Sequence, residues 1–192
     1  MTNWWWLRHG PTHEKTFVGW RDVPADLSDT AALARLRAYL PKRALLVSSD
    51  LTRAVATADA VAGPQHMRLA NTPDLREFNF GAWDGLGFAA VAARDPALSR
   101  TFWEAPGDVA APDGESWNQV AARVSHRVAQ INRSAPEHVI AVAHAGVIMT
   151  QLQRALGASA HETLSHPIDN LSLTRLIWDG RRWSVGEINH LA

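Results

Sequence analysis

Cysteine is absent from the 192 residues, which removes disulfides, thiolate metal sites and cysteine nucleophiles together. An excess of charge of one sign is absent as well. Nineteen basic residues (Lys+Arg 19) face as many acidic ones (Asp+Glu 19), for a formal net charge of +0. No block of like charge stands out, so neither nucleic acid nor an anionic membrane is an expected partner. Lysine is scarce: Lys15 and Lys42 stand alone, and the remaining cations are arginines. No apolar run approaches the length that crosses a bilayer. The short run at residues 4–7 has no basic segment before it and ends in Arg8 and His9, so no secretory signal is expected and the cytoplasm is the default address.

What is present is a globular balance, 46% hydrophobic against 20% charged, in a length that suits one domain. No repeat, low-complexity tract or linker divides residues 1–192. Segments of strand and helix character alternate. Trp4, Trp5, Trp6 and Leu7 form a continuous apolar run, the pattern of a strand buried on both faces. Ser28 is placed to cap a helix carrying Leu33, Leu36 and Leu40, which Pro41 stops. A strand at 44–47, a helix at 52–62 and a short strand at 67–70 follow. Residues 71–115 read as irregular, with some helix at 88–94. Ser116 opens a helix with Val120, Val124, Val128 and Ile131 on one face, a strand follows at 139–142 and a helix at 146–156. Residues 171–178 and 182–188, joined by Asp179-Gly180, read as a closing hairpin. This order predicts a three-layer α/β/α fold with a mainly parallel central sheet.

In such folds the site lies beyond the carboxyl ends of the strands. Arg8, His9, Gly10 and Thr12 follow the first predicted strand. Ser48, Ser49, Asp50 and Arg53 follow the second, Arg76 and Glu77 the third, and His144, Ala145 and Gly146 the 139–142 strand. One sheet edge therefore collects two histidines, at least two arginines and a glutamate. That set suits phosphoryl transfer, where positioning and charge stabilisation do most of the catalysis. Arginine forks match phosphate oxygens, a helix start after His144 adds N–H groups and the positive end of its dipole, a neutral histidine can attack phosphorus, and a carboxylic acid can protonate the leaving oxygen.

Leu7-Arg8-His9-Gly10, Ser48-Ser49-Asp50-Leu51-Thr52-Arg53-Ala54, Leu75-Arg76-Glu77, Phe80-Gly81-Ala82-Trp83-Asp84-Gly85, Pro112-Asp113-Gly114-Glu115-Ser116 and Ala143-His144-Ala145-Gly146 stand in one order along the chain. That order resembles the histidine phosphatase superfamily, the phosphoglycerate mutase-like proteins. Asp169-Asn170-Leu171-Ser172-Leu173-Thr174 is similar to the family's closing strand. The resemblance implies that His9 is the phosphorylated nucleophile and Glu77 the acid/base. Arg8, Arg53 and His144 would form the phosphate pocket, with Thr12 and the backbone of Ala145 as further contacts. No metal or other cofactor is implied. Lys15 stands where the family often has Asn. It either reaches phosphate as a point charge or is a solvated loop residue. Pro11, where many members carry Glu, stiffens the loop.

Competing readings of single residues stay open. Arg53 could pair with Asp50 on a helix surface, and Asp84 could replace Glu77 as the acid. Glu115 reads as part of the turn and cap before the Ser116 helix. His9 and His13 have metal-ligand spacing for a helix, which Gly10-Pro11 makes a poor assignment. The resemblance places a lid insertion at about residues 78–122, helical and irregular. Its bases are Arg94 and Arg100, too few for a mutase substrate with a second anion, and it is rich in aromatics. These rings either stack on an apolar substrate or form the lid's own core. The implied activity is a phosphatase similar to alpha-ribazole phosphatases. Mutase-type transfer and a non-catalytic module that binds phosphorylated ligands are the alternatives. The expected partner is a small phosphorylated metabolite, and any assembly is expected to be a homodimer.

Overall fold

A computed structural model describes residues 1–192, and the alternation of tryptophans along β1 (Thr2–Arg8) organises it. Successive side chains of a strand point to opposite faces. Trp4 and Trp6 share one face, fully buried and stacked with centroids 5.3 Å apart and planes 19° apart. Trp5 takes the other face, edge-on to Tyr39 at 6.0 Å and beneath the Arg175 guanidinium at 5.3 Å. A strand covered on both sides needs large apolar residues without alternation, and this run supplies them.

Five further strands complete one sheet: β2 (Ala44–Ser48), β3 (His66–Arg68), β4 (His138–Ala143), β5 (Leu173–Trp178) and β6 (Trp183–His190), in the order β3-β2-β4-β1-β5-β6. The first four in that order pair in parallel, while β5 and β6 add an antiparallel hairpin. Helices α1 (Thr30–Tyr39) and α2 (Thr52–Val61) cover one face, packing Leu33, Leu36, Ala58 and Val61 on Leu46, Ile140 and Val142. Helices α5 (Trp117–Asn132) and α6 (Ala145–Leu156) cover the other, with Val120, Val124, Val147 and Leu152 against Trp4, Trp6, Val139 and Ala141. The three-layer α/β/α architecture expected from the alternation is the one observed. No helix is long and apolar enough to cross a membrane.

Details differ from the sequence reading where local hydrogen bonds compete. Asp29, not Ser28, caps α1: its carboxylate accepts from the Ala32 N–H at 2.9 Å, while the Ser28 N–H is already tied to Asp26. Strand β3 ends at Arg68, two residues short of the expected end. Between 71 and 115 the chain forms α3 (Phe88–Arg94) as expected, and a second helix, α4 (Pro96–Glu104), begun by Pro96. Two 3-10 turns, Pro73–Leu75 and Gly81–Trp83, lie before them. A one-turn helix, α7 (Ala160–Thr163), is closed by a Ser159–Glu162 capping box. Ser116 does cap α5, but its capping-box partner is Gln119, so Glu115 is released from that role.

The two buried tryptophans of β1 are not equivalent. The Trp4 indole N–H donates to Asn132 Oδ1 at 2.9 Å, whereas the Trp6 indole nitrogen is buried with no partner. Trp4→Phe removes a hydrogen bond to the half-buried Asn132, and Trp6→Phe removes an unpaired buried donor. The first is expected to cost at least about 1 kcal/mol more than the second in urea unfolding. Equal losses would show that both rings act through volume alone.

Candidate active site

The register of β1 against β4 places Arg8 beside Ala143, and the His9 N–H donates to the Ala143 carbonyl at 3.1 Å. The residues that leave the two strands, His9 and His144, are therefore neighbours, with ring centroids 5.0 Å apart at 61°. Their hydrogen bonds set opposite tautomers. His9 Nδ1 lies 2.7 Å from the Gly10 carbonyl, which can only accept, so Nδ1 carries the hydrogen and Nε2 keeps its lone pair. His144 Nδ1 accepts from Arg53 Nε at 3.3 Å, so its hydrogen sits on Nε2, which is buried and has no protein partner. A lone pair and an unspent N–H donor thus lie side by side.

Both rings are neutral. Burial first, and then the Arg53 charge, push the His9 pKa down to about 3, against a smaller upward pull from the Gly10 carbonyl. Burial, then His9 and Arg53, hold His144 well below its ordinary value. The cations beside them are themselves caged. Arg53 on α2 is fully buried, its Nη1 donating to the Arg21 carbonyl at 3.0 Å and its Nη2 to that of Gly19 at 2.7 Å. Burial lowers its pKa, while Glu77, Asp22 and Asp84 act against that. Asp50 is not its partner: that carboxylate forks to Arg76, with both bonds at 2.7 Å. Arg8 donates from Nη1 to the Ile168 carbonyl at 2.6 Å and keeps a buried Nε without a partner. The Asn170 amide donates to the His9 carbonyl at 2.9 Å, fixing the strand end from the far side.

Glu77 closes the group from the loop after Pro73–Leu75. It is only 8% exposed, and its carboxylate accepts from Phe78 N–H at 3.0 Å and from Gly146 N–H at 3.2 Å. A Cβ on Gly146 would lie 2.5 Å from Glu77 Oε1 and 2.5 Å from Phe78 Cδ2, so the carboxylate rests where only glycine leaves room. The loop beneath is held by a residue that sequence reasoning missed. Arg123 of α5 donates to the carbonyls of Asp74, Arg76 and Glu77 at 2.8–2.9 Å and makes a two-pronged ion pair with Glu115 at 2.8 Å. Glu115 in turn accepts from Asn79 N–H at 2.9 Å. Arg123 flanks the unbroken apolar face of Val120, Val124, Val128 and Ile131, and nothing in the sequence pattern marks it. Trp20 adds an indole N–H to the Glu77 carbonyl at 2.9 Å.

The structure thus brings together Arg8, His9, Arg53, Glu77, His144 and the start of α6 at Ala145, whose first turn has N–H groups without intrahelical acceptors. Thr12 is half-buried with no hydrogen bond from its hydroxyl, and Lys15 is exposed without an ion pair, so neither is tied into the group. Asp84 accepts from the N–H groups of Gly19 and Arg21 and pairs with the Arg21 side chain, bracing that loop. His13 turns away to Asp26 at 2.8 Å. No three His, Asp or Glu side chains gather as metal ligands would.

Two neutral histidines, two caged arginines and a carboxyl thus meet at one sheet edge. The model of the histidine phosphatase superfamily (branch 1) matches residues 4–191. The chain belongs to that superfamily. Within it, this chain is 34% identical over 156 residues to the glucosyl-3-phosphoglycerate phosphatase of Mycobacterium tuberculosis, covering 74% of this chain and 70% of the relative. It is 35% identical over 169 residues to a bifunctional protein of the same organism, 85% of this chain but only 43% of that protein's length, so it spans less than half of that relative. The solved structure of Bacillus stearothermophilus YhfR superposes with a TM-score of 0.89 at 27% identity, covering 100% and 98% of the two chains. The alpha-ribazole phosphatase of Shigella flexneri gives 0.85 at 20% identity over 99% and 97%, a likeness of fold.

Two outcomes follow from this geometry. Gly146→Ala is expected to displace Glu77 and lower kcat on a phosphomonoester about 100-fold with the fold intact. Wild-type turnover would show that the carboxylate has room to spare. Acid should also destabilise the fold. The His9 pKa is lower in the folded chain, so as pH falls the unfolded chain takes up the proton first. Stability is complete above about pH 6.5 and is lost progressively toward 3, with His144 acting in the same direction. His9 alone accounts for about 2 kcal/mol between pH 7 and 5. Urea unfolding at the two pH values should show that drop reduced by this amount in His9→Gln. An equal drop in both proteins would mean that His9 titrates normally.

Proposed function

We propose that this member of the superfamily hydrolyses phosphomonoesters without a metal, through a phosphohistidine on His9. The observation that carries the reading is the pair of opposite tautomers. His9 offers a lone pair at Nε2, while His144 Nε2 and Arg8 Nε are unspent donors for the phosphoryl oxygens and the buried Arg53 adds its charge beside them. In the first step His9 Nε2 bonds to phosphorus as the ester P–O bond breaks, and Glu77 gives its proton to the departing alcohol oxygen. In the second, Glu77 takes a proton from water, whose oxygen bonds to phosphorus as the P–N bond breaks. Inorganic phosphate leaves, and His9 and protonated Glu77 are restored. Thr12, Lys15 and the Ala145 N–H are further phosphate contacts in this reading.

The lid supports hydrolysis over mutase-type transfer. Arg94 is spent on the Ala82 carbonyl and Asp95, and Arg100 is exposed, which leaves no inward cation for a second anion. A pure binding module would have no use for an unprotonated nucleophile beside a carboxyl held by two N–H groups. The partner is a small phosphorylated metabolite in the cytoplasm, with alpha-ribazole 5'-phosphate among the candidates.

Rapid quench with a 32P-labelled phosphomonoester in excess chelator is expected to trap a phosphoenzyme that acid hydrolyses and alkali spares. His9→Ala should abolish the trapped label. Glu77→Gln should slow turnover about 100- to 1,000-fold. Turnover lost to the chelator would overturn the metal-independent reading, and undiminished label in His9→Ala would remove His9 as the nucleophile.

A further inference from the structure

An apolar hollow begins where the polar centre ends. Phe78, Phe80, Phe102, Trp103 and Trp117 wall a cavity of about 180 Å³ whose lining also includes Glu77 and Gly146. The rings are braced against one another: Phe78 stacks on Phe80 at 5.9 Å, Phe80 meets Phe102 at 6.4 Å, and Phe102 meets Trp103 edge-on at 4.9 Å. Phe17 supports Phe80 from behind at 4.9 Å. The Trp117 indole N–H is already donated to Gln153 at 2.6 Å. No lysine, arginine or histidine lines the cavity, and the Glu77 carboxyl is its one ionisable group. Trp83 and Phe88, also lid aromatics, do not line it: Trp83 is fully buried with its N–H on Asp95, and Phe88 is 63% exposed.

We propose that this cavity is the leaving-group subsite and selects esters whose alcohol is uncharged and apolar, about one ring in size. The inference rests on the phosphatase reading and adds the chemistry of the alcohol. The ester oxygen must reach Glu77 to be protonated, so the group attached to that oxygen projects into the space that Glu77 lines. An apolar void of about 150 Å³ accepts benzene, so a single ring fits. A carboxylate or second phosphate there would lose its water and meet no cation. Esters of glyceric acid are therefore poor fits, which separates this site from the relative named for glucosyl-3-phosphoglycerate.

The test compares three primary-alcohol esters with the full-length protein: 3-phenylpropyl phosphate, n-propyl phosphate and 3-phosphoglycerate. The kcat/KM for the phenylpropyl ester should exceed that of propyl phosphate by about 10-fold or more, from burial of the ring, and 3-phosphoglycerate should fall below both. Trp103→Ala should collapse the phenylpropyl-to-propyl ratio toward one, whereas a residue that merely supported the fold would lower both esters alike. Met149→Lys, which places an ammonium in the same wall, should narrow the gap to 3-phosphoglycerate. Hydrolysis of all three at similar rates, or a preference for 3-phosphoglycerate, would overturn the subsite and leave the phosphatase reading standing. No hydrolysis of these esters or of 4-nitrophenyl phosphate would overturn both. If a variant fails to fold, the wild-type order decides.

Discussion

The parallel pairing of β1 with β4 is the constraint on which the rest of the site depends. Backbone hydrogen bonds fix the register residue by residue, from Asn3 beside His138 to Arg8 beside Ala143. A slip of one residue would turn every side chain to the opposite face, exchanging Trp4 and Trp6 for Trp5 in the core. The buried pair of tryptophans therefore holds the register, and the register places His9 next to His144. Rigidity is gained from packing far below the site, on a strand buried at both faces. The chemistry sits on the first residues released from that packing.

Charge is handled by a second, linked device. Arg8 and Arg53 give several of their donors to backbone carbonyls rather than to carboxylates. Each guanidinium is thus positioned without being neutralised, and its charge still acts on its neighbours. That charge, together with burial, keeps both histidines neutral. Arg123 uses the same carbonyl grip on the Glu77 loop, but Glu115 balances its charge. Arg8 keeps an unspent donor and Arg53 a charge that no carboxylate pairs, while Arg123 is spent on architecture.

Much of the site was legible in the sequence because strand ends are local features. Arg8, His9 and His144 follow apolar runs and Arg53 lies in the first turn of a helix, while Glu77 follows the third strand beyond a loop, and the layered fold brings such ends to one edge. The choice between Glu77 and Asp84 was not legible, because it depends on which loop each carboxylate braces. The pairing of Asp50 with Arg76 in place of Arg53 was hidden for the same reason. Arg123 lay 46 residues from the carbonyl it holds, beyond the reach of any spacing argument. Helix α4 escaped because Phe102 on its apolar face packs on Phe78, Phe80 and Trp83 instead of the sheet.

By itself, then, the sequence determined the layered α/β class, the order of the elements and the chemical character of the sheet edge. Hydrophobic periodicity and strand-end composition are properties of the chain as written. Only the tertiary structure decided the tautomers of His9 and His144, the seating of Glu77 against Gly146, and the enclosure of an apolar cavity by the rings of Phe78, Phe80, Phe102, Trp103 and Trp117. Each of these is set by groups distant in sequence that share one low-dielectric space, where a hydrogen bond or a missing methyl group settles the arrangement.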